Sequence, residues 1–411
     1  MDSPCRPRHW RRFRAALPCA LIALGLHPAQ PTAWAAPPEP VKIGVIGPFS
    51  GPSSDFGKPM LQGIELAIDE INAVGGYLGR PLTLVVKDDE GKPEVGLRGA
   101  QELMREHVVG TLGFCNTGVA VKAMPVFQHA ESPLIVPCAT GTPVTSQHPA
   151  PDSYVFRNAP PDGIQAPFVV NELVRRGWTR VAIFADTTPY GEAGLHDVQA
   201  ALANHRIKPA HVARFDLGVK DLSEPLRQAR EAGANVVFSY TVGPENAVIA
   251  KGRQAIQWDV PQVGGWPLSF PFFIQGGKGA AEGALMAQSF IAEPSNERRA
   301  AFLSAFARKH QQAIAVPMAA AQAYDATYLL AHALFSLRNG RFPGPAVKAA
   351  LENLPRTYYG VVATYEKPFS RDDKEAVSPN MLVMGVVRNG QITFAYPEDA
   401  RRNLMVQRKP R

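Results

Sequence analysis

The sequence predicts an α/β fold made of two similar halves, each with a parallel, doubly wound central sheet. Three observations predict it. Short apolar strands alternate with amphipathic helices from Val41 to Pro137, and the same alternation restarts near Ile164 and runs to Gly264. Strand–helix–strand alternation is the signature of parallel sheets with crossover helices. In the first half, two strands also end in closely similar loops, Cys115-Asn116-Thr117-Gly118 and Cys138-Ala139-Thr140-Gly141-Thr142.

The elements follow in order. Val41–Phe49 is a near-continuous apolar strand. Pro59 opens a helix whose Leu61, Ile64, Ile68 and Ile71 share one face, and Gly75-Gly76 stops it. Leu82–Lys87 is the next strand, followed by a helix from Pro93 to His107, the strand Val108–Phe114, a helix over 119–130 and the strand Leu134–Pro137. The second half opens with a helix over 164–176, where Val169, Val170, Leu173 and Val174 face inward and Gly177 is the stop. The strand Arg180–Ala185, a helix marked by Leu195, Val198 and Leu202, and the strand Val212–Phe215 come next. A helix over 222–232, the strand Asn235–Tyr240, a helix ending near Gln257 and the strand Gln262–Gly264 complete it. Both halves read as Rossmann-like layer sandwiches. After Gly283 come a strand over 285–290, helices over 297–311, 318–337 and 345–353, and a strand over 360–365. Two β-rich runs then flank Asn389-Gly390, a strong hairpin signal.

At 411 residues the chain has the length of two or three domains, and 45% hydrophobic with 19% charged residues is an ordinary globular composition. Residues 1–35 read as a secretory signal: five arginines, the apolar run Ala15–Leu26, and Ala33-Trp34-Ala35 as the cleavage region near Ala35. The run is too short to span a bilayer, which needs about 20 residues. A soluble, periplasmic product is expected. Those 35 residues hold five arginines and one aspartate, so they carry +4 of the net +7 and leave +3 for the mature chain. A nucleic-acid role thereby loses its main support. The basic tail 401–411 reads as a frayed end. Of four cysteines, Cys5 and Cys19 lie in the signal; Cys115 and Cys138 remain, either bonded, if their strands are neighbours, or as two buried free thiols.

The paired loops are the candidate site. Open α/β sheets collect small polar or anionic ligands where strands hand over to helices, and helix-start amides and hydroxyls are donors for a carboxylate. Thr117 and Thr140 could equally cap helices. Enzyme chemistry is not visible: Gly44-x-x-Gly47 is not a dinucleotide fingerprint, no Gly-x-Ser-x-Gly elbow occurs, and the ten histidines lack metal spacing. Asp88-Asp89 are strand neighbours that face opposite ways. No catalytic residue, metal or cofactor is expected.

The residues also resemble type I periplasmic binding proteins, within them the leucine/isoleucine/valine-binding group that serves ABC importers. The resemblance runs from about Val41 to Lys367. It is carried by Ile43-Gly44-Val45-Ile46-Gly47-Pro48, the helix end Ile71-Asn72-Ala73-Val74-Gly75-Gly76, Asp88-Asp89, Thr117-Gly118, Pro137–Thr140, Phe156-Arg157, Asp162, Gln165, Tyr190-Gly191-Glu192 and Tyr324-Asp325-Ala326. It implies two lobes joined by three crossings, near Ala159, Phe290 and Tyr358, with lobe 1 at 41–158 plus 291–357 and lobe 2 at 159–290 plus 358–400. It implies a ligand carboxylate held by Thr117, with Asn116, Cys138, Ala139 and Thr140, an aromatic cover at Phe56 and a second-lobe tyrosine at Tyr190. The family's acidic residue for a ligand ammonium has no carboxylate counterpart in Gly264–Ser269, where Trp266 would suit a flat or aliphatic tail. Glu245 could substitute if it points into the cleft; otherwise it is a solvent-facing helix glutamate. The family disulfide is missing. The expected function is a monomeric solute-binding protein that passes a small carboxylate-bearing ligand (amino acid, amide or related organic acid) to a membrane permease. A periplasmic sensing subunit and an enzyme on a doubly wound fold are the alternatives.

Overall fold

The computed structural model describes residues 39–401 and Val406. The proposed signal with Cys5 and Cys19, and all of the basic tail except Arg401 and Val406, lie outside the described residues. The first sheet has the order β2-β1-β3-β4-β5 and is parallel throughout. Its strands and helices are β1 (Val41–Gly47), α1 (Ser54–Ala73), β2 (Leu82–Asp88), α2 (Pro93–Arg105), β3 (Thr111–Gly113), α3 (Thr117–His129), β4 (Leu134–Val136), the single turn α4 (Pro143–Ser146) and β5 (Val155–Arg157). Such strands are near-continuous apolar runs because helices cover both faces of the sheet. In β1 only Lys42 is not fully buried.

The helix α1 begins at Ser54, ahead of Pro59. The amides of Phe56 and Gly57 donate to the Ser53 carbonyl and start the helix. Pro59 then sits inside it, where its missing N–H forfeits one bond to the exposed Asp55. Met60, Ile64, Ile68 and Ile71 are buried as their spacing requires.

The second half contains α5 (Asp162–Arg175), β6 (Val181–Asp186), α6 (Pro189–Asn204), β7 (His211–Phe215), α7 (Ser223–Glu231), β8 (Val236–Tyr240), α8 (Glu245–Ala255), β9 (Gln262–Gly264), α9 (Pro271–Gly277) and β10 (Leu285–Gln288). Then come α10 (Glu297–His310), α11 (Pro317–Ser336), α12 (Gly344–Glu352), β11 (Tyr358–Tyr359), β12 (Thr364–Tyr365), β13 (Val383–Arg388), β14 (Gln391–Phe394) and α13 (Pro397–Ala400). The second sheet has the order β14-β13-β10-β9-β8-β6-β7, with β13 antiparallel to β10 and β14 antiparallel to β13. The β13–β14 turn has Asn389 and Gly390 at φ 52° and 70°, the left-handed pair of a type I′ hairpin.

Separate apolar clusters cover the faces of each sheet. Met60 and Ile64 of α1 share one with Leu329 and Leu330 of α11, against Ile43 and Val45 of the first sheet. Residues of α2 and α3 cover the other face. In the second sheet, α5 and α6 cover one face and α7 and α8 the other. The chain passes from β5 to α5 through the buried Ala159, and leaves β10 through the buried Phe290.

The third passage differs from expectation. Tyr358, Val361, Val362, Ala363, Tyr365, Phe369, Ala376 and Val377 are buried in the cluster that holds α1 and α11, and the chain rejoins the second sheet only at Val383. Asp325 of α11 is the cause. Its carboxylate accepts from the amides of Val361 and Val362, both at 2.9 Å, and from the hydroxyls of Tyr358 and Tyr365, both at 3.1 Å. The passage therefore lies between Val377 and Val383 rather than at Tyr358.

Candidate functional site

Loops that follow the carboxyl ends of strands in both sheets wall a cavity of about 590 Å³. From the first sheet come Pro52-Ser53 after β1, Glu90–Pro93 after β2, and Asn116–Gly118 after β3. From the second come Thr188–Tyr190 after β6, Leu217, Gly218 and Lys220 after β7, and Val242–Glu245 after β8. In each sheet the strand order reverses at this point, with β1 between β2 and β3, and β6 between β7 and β8. Ligands of open α/β sheets bind at such switch points. The two walls touch where Thr142 donates to Asp197 Oδ2 at 2.5 Å.

The two similar loops of the first wall are neighbours. The Ala139 amide donates to the Phe114 carbonyl at 2.9 Å, and the Gly141 amide to Thr117 Oγ1 at 3.1 Å. A Cβ on Gly141 would lie 2.4 Å from Thr117 Cγ2, so this approach requires glycine. Neither threonine caps a helix: α3 and α4 have no side-chain cap, and Thr140 Oγ1 is buried with no hydrogen-bond partner among the described residues. Arg157, 1% exposed, fixes the second loop from below. Its guanidinium donates to the carbonyls of Thr140 and Gly141 at 2.9 and 2.7 Å and to Thr145 Oγ1 at 3.0 Å, and it pairs with Glu375.

Asp88 and Asp89 face opposite ways, as strand neighbours must, but only Asp88 is solvated. Its Oδ1 accepts the amides of Phe49 and Glu90 at 2.9 Å and clamps the loop after β1. Burial raises its pKa, but the Ser50 hydroxyl and the Glu90, Phe49 and Ser50 amides together outweigh that and hold it below the usual carboxylate range. Asp89 is fully buried, and burial pushes it up to about 7.

In the second wall, Asp186 ties two loops together, accepting from the amides of Thr188 at 2.9 Å and Val242 at 3.0 Å. Behind it, the rings of Tyr190 and Tyr240 lie 5.0 Å apart. Burial and then the neighbouring Asp162 push both phenols up. Asp162 itself is fully buried, and desolvation raises it to about 7. Tyr240 and Thr140 are close enough to temper that rise, yet Asp162 Oδ2, Tyr240 OH and Thr140 Oγ1 form no well-aligned hydrogen bond.

Asn116, Thr117 and Tyr190 line the cavity. Phe56, Cys138, Ala139, Thr140 and Trp266 are buried and are not among its lining residues. Phe56, Trp266 and Phe270 pack on one another, with Phe56–Phe270 centroids at 4.8 Å and Trp266–Phe270 at 4.6 Å. Both rings are thus spent on each other rather than open to the cavity. Cys115 and Cys138 are free, buried thiols. Extending the register Leu112↔Ile135 places them opposite one another. Glu245, expected as either a cleft anion or a solvent-facing helix residue, is 2% exposed and lines the cavity. Reading the sequence missed Ser53, whose Oγ accepts from Asn116 Nδ2 at 3.1 Å, and gave Arg157 and Asp162 no part in the site. The adjacency of Phe156-Arg157 to a buried strand was the available signal for Arg157. Among the described residues, no helix is long and apolar enough to cross a membrane.

Comparison with known proteins agrees with this architecture. A Leu/Ile/Val-binding protein homolog 3 from Brucella melitensis is 29% identical over 222 residues, 53% of this chain and 60% of that protein. The Leu/Ile/Val-binding protein BraC3 from Rhizobium johnstonii is 27% identical over 262 residues, 64% of this chain and 71% of that protein. The match thus spans about three fifths of the first relative's length. Among solved structures, a type 1 periplasmic binding protein from Bordetella pertussis superposes with TM-score 0.77 at 22% identity, covering 87% of this chain and 99% of that one. A solute-binding protein from R. palustris, solved in complex with benzoate, superposes with TM-score 0.75 at 17% identity, covering 87% and 95%. The family model described as periplasmic binding protein matches residues 40–391. With that match across nearly the whole described chain, the protein belongs to the periplasmic binding protein family.

Proposed function

We propose that this protein is exported, loses its signal near Ala35, and serves an ABC importer as its solute-binding component. It traps a small carboxylate-bearing ligand, an amino acid, amide or related organic acid, between its two lobes and presents it to a membrane permease. The observation that carries this reading is the cavity of about 590 Å³ walled by strand-end loops of both sheets. On its first wall stand Asn116, Thr117 and the amide-rich start of α3, whose dipole favours a negative charge. Thr140, with its unpartnered hydroxyl, and the backbone of Cys138 and Ala139 support that corner from behind. Tyr190 reaches the ligand from the second lobe. The ligand stabilises the closed arrangement because it contacts both walls at once.

A thermal-shift panel tests the reading. Carboxylic acids of amino-acid size raise the melting temperature, and their methyl esters do not, because a ligand that binds the folded state alone stabilises it by mass action. Mass spectrometry recovers the ligand unchanged. Thr117→Ala weakens binding and Thr117→Ser restores it. A panel in which esters and acids stabilise equally would end the carboxylate assignment.

A further inference from the structure

The turn over residues 74–80 leads from α1 into β2, so it lies at the amino end of the first sheet, opposite the strand ends that wall the cavity. Gly75, Gly76, Leu78 and Gly79 all have positive φ, and the amides of Tyr77 and Arg80 each donate to the other's carbonyl, at 2.8 and 2.9 Å. On this tight turn Val74 and Leu78 are 87% and 72% exposed. Leu78 has φ 49°, a backbone that favours glycine or asparagine. The turn is fastened to the segment that follows α11. The Tyr77 hydroxyl donates to the Leu337 carbonyl and accepts from the Gly340 amide at 3.1 Å. Its ring packs on Phe335 and Phe342, with centroids at 6.1 and 4.8 Å. Phe335 is partly exposed, and with His332, Ser336, Arg338, Pro355 and Arg356 it lines a depression of about 500 Å³. Segments 74–80, 335–342 and 354–357 thus form one face.

Those segments carry Arg80, Arg338, Arg341 and Arg356 and no acidic residue. Arg338, Arg341 and Arg356 are exposed, and none of the four forms an ion pair among the described residues. Against them stands the exposed Glu39, whose carbonyl accepts from Arg80 Nε at 2.6 Å. The chain enters the described fold at that point, thirteen residues after Leu26, the last residue of the apolar run in the proposed signal. We propose that this face rests on the surface of an anionic phospholipid bilayer, with Val74 and Leu78 entering the headgroup layer and Arg338, Arg341 and Arg356 meeting phosphate groups. Unpaired cations of one sign beside a few projecting apolar side chains hold a protein reversibly on an anionic membrane. A stable protein interface needs about 800 Å² of close contact per partner, whereas two side chains projecting from one turn suit penetration of a fluid surface. The contact leaves the cleft free, so it stands or falls apart from the ligand reading.

The test is co-sedimentation of the mature chain with large vesicles. Wild-type protein binds vesicles of phosphatidylglycerol and phosphatidylethanolamine at least tenfold more tightly than vesicles of phosphatidylcholine alone. Raising the salt from about 50 mM to about 300 mM weakens that binding tenfold or more, because screening reaches exposed charges first. Two variants separate the contributions. Leu78→Asn suits the left-handed backbone and removes the apolar tip; Arg338→Gln with Arg356→Gln removes two cations. Each weakens binding to the anionic vesicles fivefold or more. A control, Lys208→Gln with Lys251→Gln, removes the same charge from exposed positions of the second half and weakens binding less than twofold. Melting temperatures confirm that every variant is folded, and that of Leu78→Asn stays level or rises. The proposal is overturned if wild-type protein does not sediment with the anionic vesicles, if it binds both kinds equally, or if the control weakens binding as much as the arginine pair. It is also overturned if sedimentation velocity shows a wild-type dimer that Leu78→Asn dissociates, since the face would then join two copies of the chain.

Discussion

Asp162→Asn is expected to make the ligand-free protein more stable at neutral and alkaline pH and to leave it unchanged in acid. Asp162 is fully buried beside Tyr190 and Tyr240, and desolvation raises its pKa from 3.8 to about 7. A raised carboxyl pKa means that the folded chain holds the proton where the unfolded chain has lost it. Stability then falls with pH, starting near the unfolded value of about 4 and levelling off above about 7. A difference of about three units, at about 1.4 kcal/mol each, amounts to about 4 kcal/mol at pH 8. Asparagine fits the site. Its Oδ1 can keep the 3.1 Å bond from Gln165 Nε2, and its amide nitrogen replaces Oδ2, which has no aligned partner now. Asp89 and Asp325, raised by burial to about 7 and about 6, add pH dependence of the same sign. Both are present in wild type and variant, so they cancel in the difference. Urea unfolding followed by tryptophan fluorescence between pH 4 and pH 8 gives that difference directly. It should rise from near zero to about 4 kcal/mol across this window. A constant difference, or an asparagine variant that is weaker at pH 8, would refute the placement of a desolvated carboxyl there.

Two further outcomes follow from the same contacts. Arg157→Met removes the donors that hold the Thr140 and Gly141 carbonyls and leaves Glu375 without its partner, so urea unfolding at pH 7 should show a loss of about 3–5 kcal/mol. Arg157→Lys should recover little, because one ammonium cannot replace a planar fork serving four groups. Cys115 and Cys138 should resist an aromatic disulfide reagent in the native protein and both react in denaturant, since burial and the adjoining thiol push the Cys115 thiol up; rapid native reaction would contradict the burial of the pair.

The central sheets were legible because parallel strands covered on both faces read as near-continuous apolar runs, as in Val41–Gly47 and Val181–Asp186. The paired loops were legible because they repeat one another, and their hydrogen bonding through Gly141 and Thr117 makes that repetition physical. What stayed hidden depends on distant partners. β5 is three residues long and ends in Arg157, which reads as a polar break until Glu375, 218 positions away, is placed beside it. Glu245 opens a helix, a place where glutamates are normally solvated, and the Gly218 amide that its carboxylate accepts comes from a loop 27 positions earlier. Phe56 and Trp266 look like ligand platforms in sequence. Nothing local shows that each already has the other and Phe270 as a partner. The third passage was misplaced because Asp325 holds residues 358–365 from a helix more than thirty positions earlier.

The division between satisfied and unsatisfied groups is itself informative about how the cleft works. Asp88, Asp186 and Arg157 spend their hydrogen-bonding capacity on loop backbones, at Phe49 and Glu90, at Thr188 and Val242, and at Thr140 and Gly141. Those loops are therefore fixed before any ligand arrives, which lowers the ordering cost of binding. Among the described residues, the buried side-chain atoms without partners include Asn116 Oδ1 and Glu245 Oε2, whose residues line the cavity, and Thr140 Oγ1 and Tyr240 OH, whose residues do not. Buried polar groups are normally paired, and each unpaired one costs about 1–3 kcal/mol. Asn116 and Glu245 stand on opposite walls of the cavity, so the proposed ligand would meet an unpartnered acceptor on each side.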